Sequence, residues 1–277
     1  MELFTGHAPE HICALFQAAY TGQVEMVNSR GIYLEISHRH VLLCEDRFGT
    51  VPNGVALAQW AHLPAMLSPG QTFQMENGVL HFPRVSLSLQ LRSIPKDTQI
   101  HLPNKEALYA GVQKLLSKTK YTGLSPLAYP LFAGQMPNMN PYCQAALPHV
   151  QALLEALQQE NGANLQNSVE PLLGLGPGLT PSGDDLLSGL MYGLRHSPAR
   201  DNPPSVALRH AILEMAPQRT NAVSADYLTA IANDAPFDPM AAAWRNPAMG
   251  AAPLMAIGNN SGSEMLLGLM CAAWLLT

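Results

Sequence analysis

The 277 residues include 47% hydrophobic and only 13% charged side chains, enough apolar material for a substantial core in one large or two moderate domains. A net charge of −5 and a pI near 6.0, with no Lys/Arg cluster, leave no basic field to attract a polyanion, so nucleic acid is not an expected partner. The chain begins without a basic n-region and apolar h-region, and its longest apolar run, residues 265–276, is too short to span a bilayer; a cytoplasmic chain with no membrane partner is expected.

Residues 11–20 put Ile12, Leu15, Phe16 and Ala19 at helical spacing. The texture then changes to a strand meander: Val24 and Met26, then Ile32, Leu34 and Ile36, then residues 41–44, separated by turn-like stretches at 28–31 and 37–40. A turn-rich loop covers 46–54, and 55–67 reads as a second short helix. The firmest β signal is at 73–82, where two short apolar runs flank Asn77-Gly78, a dipeptide that tolerates the positive φ of a tight hairpin turn. Val85, Leu87, Leu89 and Leu91 alternate with polar residues, as in a strand with one buried face. Past residue 103 the period becomes 3.6. Asn104 can cap a helix that carries Leu108, Val112, Leu115 and Leu116 up to Lys118. Residues 121–141 read as a long loop, and 142–160 as an amphipathic helix stopped by Asn161-Gly162. Helices follow at 205–215, 220–233 and 262–276, and 235–253 reads as a loop with one short helix at 240–244. The fold class is α+β: a β-rich, meander or barrel-like domain over 1–103, then a mainly α-helical domain over 104–277.

The densest stretch lies in the second domain. Gly174, Gly176 and Gly178 around Pro177 give a backbone that turns sharply and admits a ligand closely. After Leu179, Thr180 suits an N-cap and Pro181 the first helical position; Ser182, Gly183, Asp184 and Asp185 occupy the first turns. The ten residues from Ser182 to Met191 align without gaps on those from Ser261 to Met270, sharing Ser, Gly, an acid, Leu, Gly, Leu and Met. Two equivalent loop-to-helix elements packed face to face would account for Gly189 and Gly268 in mid-helix, where glycine costs about 1 kcal/mol against alanine. Their N-termini, brought together over one pocket, would offer unpaired amides and two positive dipole ends to an anion or phosphate. Gly176, Gly178, Leu179, Thr180, Ser182, Gly183, Ser261, Gly262 and Glu264 are thus candidate contacts for a small-molecule substrate.

Plainer roles compete with these. Ser261 and Glu264 fit a capping box. Asp184 and Asp185 point about 100° apart, so one can cap or face solvent while the other faces inward, and Ser188 lies one turn along from Asp184. Thr220 and Ser224 place two hydroxyls four residues apart on one helix face, toward the helix's own carbonyls or toward a ligand. Convergence of Asp184, Asp185 and Glu264 on Mg²⁺ would instead suit a hydrolase that activates water; a non-catalytic ligand-binding scaffold subunit is the third option. Cys13, Cys44, Cys143 and Cys271 lie far apart, without a local base, and read as ordinary buried thiols.

Three motifs carry a family resemblance: Gly174-x-Gly-Pro-Gly-Leu-Thr-Pro-Ser-x-Asp-Asp185, Thr220-x-x-x-Ser224-x-x-Tyr-Leu228, and Ser261-Gly-x-acid-x-Leu-Leu-Gly268. Together they resemble the AllH-type family, named for a subunit of oxamate carbamoyltransferase. The resemblance implies a carbamoyltransferase-type subunit acting in allantoin, and so purine, catabolism, exchanging a carbamoyl group between oxalurate and phosphate to give oxamate and carbamoyl phosphate. It also implies companion enzyme subunits, with a homo-oligomer as a further option. Catalysis would fall to Asp184 and Asp185, and substrate or phosphate binding to the loop and hydroxyl residues above.

Overall fold

The computed structural model describes residues 1–28, 30–118, 123–159 and 162–277. They fall into two compact units, residues 1–97 with 235–238, and residues 98–234 with 239–277.

The first unit is a closed eight-stranded barrel in the order β1-β5-β4-β3-β2-β6-β7-β8. Its strands are β1 (Glu2–Pro9), β2 (Tyr20–Val27), β3 (Gly31–Ile36), β4 (Arg39–Glu45), β5 (Gly54–Leu57), β6 (Thr72–Glu76), β7 (Val79–His81) and β8 (Ser86–Ile94). Period-two patterning turns Val24, Ile32, Leu34, Ile36, Val41, Leu43, Leu80 and Leu87 inward, all with no exposed surface. Helix α1 (Glu10–Gln17) adds Ile12, Leu15 and Phe16 to the same core. The expected meander is present as antiparallel β2–β3–β4, and a second one as β6–β7–β8. Closure depends on parallel pairing of β1 with β8 over Glu2 to Pro9 and of β4 with β5, so the sheet has no free edge. Asn77 (φ 49°) and Gly78 (φ 76°) form the expected hairpin turn.

One expectation for this unit fails. Residues 55–67 do not form a helix, because Val55, Ala56 and Leu57 lie in β5, between β1 and β4; only α2 (Leu63–Met66) is helical there. Residues 235–238 join this unit, with Asp238 Oδ2 accepting from the Thr50 amide at 2.8 Å.

The second unit is helical: α3 (Lys105–Lys118), α4 (Pro141–Gln158), α5 (Gly162–Val169), α6 (Ser182–Arg195), α7 (Pro203–Arg219), α8 (Ala222–Ala232), α9 (Asp238–Arg245, with Asp238 in the barrel unit), α10 (Pro247–Met255) and α11 (Ser261–Leu276). Asn104 caps α3 as expected, its Oδ1 accepting from the Ala107 amide at 2.8 Å. The loop expected at 121–141 contains a 3-10 turn at Ser125–Leu127 and a π turn at Tyr129–Ala133; Tyr121 and Thr122 lie outside the described residues, as do Glu160 and Asn161 at the expected end of α4. Gly162 opens α5 instead of stopping a helix. Residues 247–255 are helical although they read as loop: Pro247 occupies the first turn, where its missing N–H costs nothing. Among the described residues no helix is long and apolar enough to cross a membrane.

Candidate functional site

Helices α6 and α11 form the centre of the helical unit. Residues 182–194 of α6 are all buried, as are 262–273 of α11, the pattern of helices surrounded by protein on every side. They run parallel: Thr180 Oγ1, just ahead of α6, is 3.0 Å from Ser261 Oγ at the start of α11, the middles meet at Gly189 and Gly268, and farther along Gly193 lies against Ala272. A methyl on Gly189 would overlap the carbonyl oxygen of Met265, and one on Gly268 that of Leu186. In the ten-residue alignment Gly189 matches Gly268 and Leu186 matches Met265, so the contacts are reciprocal.

The correspondence extends upstream. The Leu175 amide bonds the Leu172 carbonyl at 3.2 Å, and the Ile257 amide bonds that of Leu254 at 3.0 Å. The Gly183 amide then bonds the Leu175 carbonyl at 2.9 Å, and the Gly262 amide that of Ile257 at 3.2 Å. Side chains on Gly183 and Gly262 would collide with the carbonyls of Leu172 and Leu254. Both glycines therefore serve close backbone packing, although each was a candidate ligand contact.

Three carboxylates are buried at this end of the pair: Asp184, Asp185 and Glu264, each 1% exposed. Asp184 is held from three sides. Its Oδ1 accepts from the Gly174 amide at 2.8 Å, and its Oδ2 from the Ser224 hydroxyl at 2.7 Å and from the Thr220 hydroxyl. Gly174 can do this because it has a φ of 73° and abuts the Arg219 carbonyl, a position closed to a side chain. Asp185 and Glu264 occupy matching positions and are bonded crosswise: the Ser261 hydroxyl of α11 bonds Asp185, and the Ser182 hydroxyl of α6 bonds Glu264. Thr180 adds a second hydroxyl to Asp185, and the Leu124 amide bonds Glu264 Oε1 at 2.8 Å.

Desolvation is the largest influence on all three acids and pushes their pKa values up. For Asp185 the rise is large, and the neighbouring charges of Glu264 and Asp184 add to it. Its Oδ2 has no hydrogen-bond partner among the described residues. This end of the pair thus combines the Thr180 and Ser261 hydroxyls, whose protons are shared between each other and Asp185, with one carboxyl oxygen that has spare accepting capacity.

Several local expectations give way here. Thr180 is not the N-cap of α6; Pro181 is, without a side-chain cap, and the Thr180 hydroxyl turns to Ser261 and Asp185. The capping box at Ser261 and Glu264 does not form: Asn260 is the N-cap, Ser261 opens the helix, and both side chains reach across to α6 or Leu124. Neither Asp184 nor Asp185 faces solvent. Thr220 and Ser224 do not share a helix face, since Thr220 ends α7 and Asn221 caps α8, yet both hydroxyls reach Asp184. The first-turn amides expected to be unpaired are largely taken, with Gly183, Asp185, Gly262, Ser263 and Glu264 all donating to backbone carbonyls. Gly176, Gly178 and Leu179 remain in the loop ahead of α6, with Gly178 exposed.

Two contributors were not anticipated. Gly123 has a φ of 69° and abuts the Glu264 carboxylate, which brings the Leu124 amide into reach; Asn140 Nδ2 anchors the Gly123 carbonyl at 2.8 Å. A lone glycine in a loop gives no sequence signal for such a role. Among the described residues no group of three or more His, Cys, Asp or Glu side chains is placed to hold a metal ion; Asp184 is turned onto Gly174, Thr220 and Ser224. Cys44, Cys143 and Cys271 are buried thiols pushed up to about 12, mainly by desolvation, whereas Cys13 is only half-buried.

The family model for oxamate carbamoyltransferase subunit AllH matches residues 172–273, less than half of the chain but including both helix starts. The resemblance read from the three motifs holds over that span. No curated protein and no solved structure matches the chain.

Proposed function

We propose that this chain is a subunit of a carbamoyltransferase-type enzyme, working with companion subunits on a small carbamoyl compound of the oxalurate or oxamate kind together with phosphate or carbamoyl phosphate. The supporting observation is that the AllH match begins at the turn before the glycine loop and runs through Ser261 and Glu264, the residues whose side chains meet those of Thr180, Ser182 and Asp185. Transfer of a carbamoyl group to phosphate builds negative charge on the carbamoyl oxygen as its carbon is attacked, and donors fixed beforehand stabilise that charge. The Thr180 and Ser261 hydroxyls, with the backbone of Gly176 to Leu179, are the proposed donors. Asp185 is the carboxyl proposed to meet the reacting group, and Asp184 the one that fixes the loop. The cytoplasm and a place in purine breakdown fit the same proposal.

An assay of oxalurate phosphorolysis, run on the chain alone and on the chain with its companion subunits, tests it. Oxamate and carbamoyl phosphate are expected from the complete complex. A complete complex without that activity rejects oxalurate as substrate. Turnover by the isolated chain would exclude a scaffolding role.

A further inference from the structure

We infer that Asp185 is the specificity residue of this site, accepting a hydrogen bond from the amino group of a carbamoyl ligand and so separating carbamoyl compounds from acyl compounds of the same shape. The inference rests on the carbamoyltransferase proposal for the substrate class and adds the atom that reads it.

Of the three buried acids, Asp184 and Glu264 accept from donors that hold the fold: an amide and two hydroxyls for the first, an amide and a hydroxyl for the second. Asp185 differs. The Ser261 and Thr180 hydroxyls bond its carboxyl, Oδ2 has no partner among the described residues, and the residue is 1% exposed. A buried carboxyl oxygen without a donor is costly, and the cost is relieved when a ligand supplies an N–H. The covering hydroxyls, Thr180 and Ser261, are only half-buried, so the cover over Asp185 reaches solvent. A carbamoyl group has the complementary pattern: its NH₂ donates to Oδ2, replacing the bond that the carboxyl gives up when one of the hydroxyls turns its single proton to the carbamoyl oxygen. An acetyl group offers the oxygen and a methyl, leaving Oδ2 as unsatisfied as before.

The test is equilibrium binding of carbamoyl phosphate and acetyl phosphate to the full chain, wild type and Asp185→Asn. The wild type is expected to prefer carbamoyl phosphate by on the order of 10- to 100-fold, the discrimination one buried hydrogen bond supplies. In Asp185→Asn the amide places a donor where an acceptor is needed, and the preference is expected to vanish. Calorimetry in buffers of different ionisation enthalpy adds a readout that a purely structural role would not move. N–H donation favours the charged carboxylate against the opposition of burial, Glu264 and Asp184, so carbamoyl phosphate should release a proton on binding to the wild type and acetyl phosphate should not. Equal affinity of the wild type for both compounds overturns the inference and leaves the site proposal standing, as does an Asp185→Asn protein that keeps the full preference. Failure of both compounds to bind the wild type overturns the site proposal and the inference with it.

Discussion

Gly189 of α6 and Gly268 of α11 each occupy a place where the other helix leaves no room for a methyl group, Gly189 beneath the Met265 carbonyl and Gly268 beneath that of Leu186. Two opposed effects meet at these positions. Alanine would gain about 1 kcal/mol in helix propensity, whereas overlap with backbone that cannot rotate away costs about 1–3 kcal/mol or more.

Overlap is expected to win. Gly189→Ala and Gly268→Ala should each lower the urea midpoint of unfolding, and the double variant should cost less than the sum, because the first methyl already separates the helices. A midpoint raised by either single change would mean that propensity dominates and the helices do not approach this closely.

The buried acids set a pH dependence. A carboxyl whose folded pKa is raised contributes stability that is complete below its unfolded value, about 4, and is lost as pH rises through the folded value. Asp185, pushed up by desolvation, Glu264 and Asp184, should therefore destabilise the wild type progressively above pH 4. Relative to Asp185→Asn, the wild-type urea midpoint should fall between pH 4 and pH 8. Midpoints that stay parallel across that range would show that Asp185 titrates normally.

The hydroxyls around Asp184 give a sharper chemical comparison. Thr220→Val keeps the shape and removes a donor from a buried carboxyl, at a cost of about 1–3 kcal/mol; Thr220→Ser keeps the donor and should stay within about 0.5 kcal/mol of wild type. Ser224→Ala should resemble Thr220→Val. Equal stability of Thr220→Val and Thr220→Ser, measured by chemical denaturation, would remove the hydroxyl from the account.

What could be read from the chain alone follows from the range of the forces involved. The Asn77-Gly78 turn, the Asn104 cap and the α6/α11 correspondence are written in neighbouring residues, and all three appear in the structure. Strand β1 could not be read, since Glu2 to Pro9 has no clear alternation and gains its register from β8, far along the chain. Helix α10 was hidden by Pro247 and Pro253, both exceptions to proline's usual effect. At the candidate site, residue types point to two helix starts that the structure brings together, but to different bonds from those it forms. Ser261 and Glu264 look like a local cap because a sequence cannot show that a second helix, with the mirrored pair Ser182 and Asp185, lies alongside and takes those bonds for itself.

The two loop-to-helix elements match from Leu172 and Leu254 onward, yet residues 176–181 separate turn from helix in the first and only residues 258–260 in the second. A symmetric dimer of one short chain would have to carry the longer loop twice, or not at all. By holding both elements in one polypeptide, this protein keeps the twofold arrangement where glycine packing needs it and abandons it in the loops ahead of the helices. There one arm carries Pro177, Gly178 and Thr180, and only the first helix has an acid at the position where the second has Ser263. Sameness serves the scaffold, and difference is concentrated where a ligand without symmetry of its own would have to be held in a single orientation.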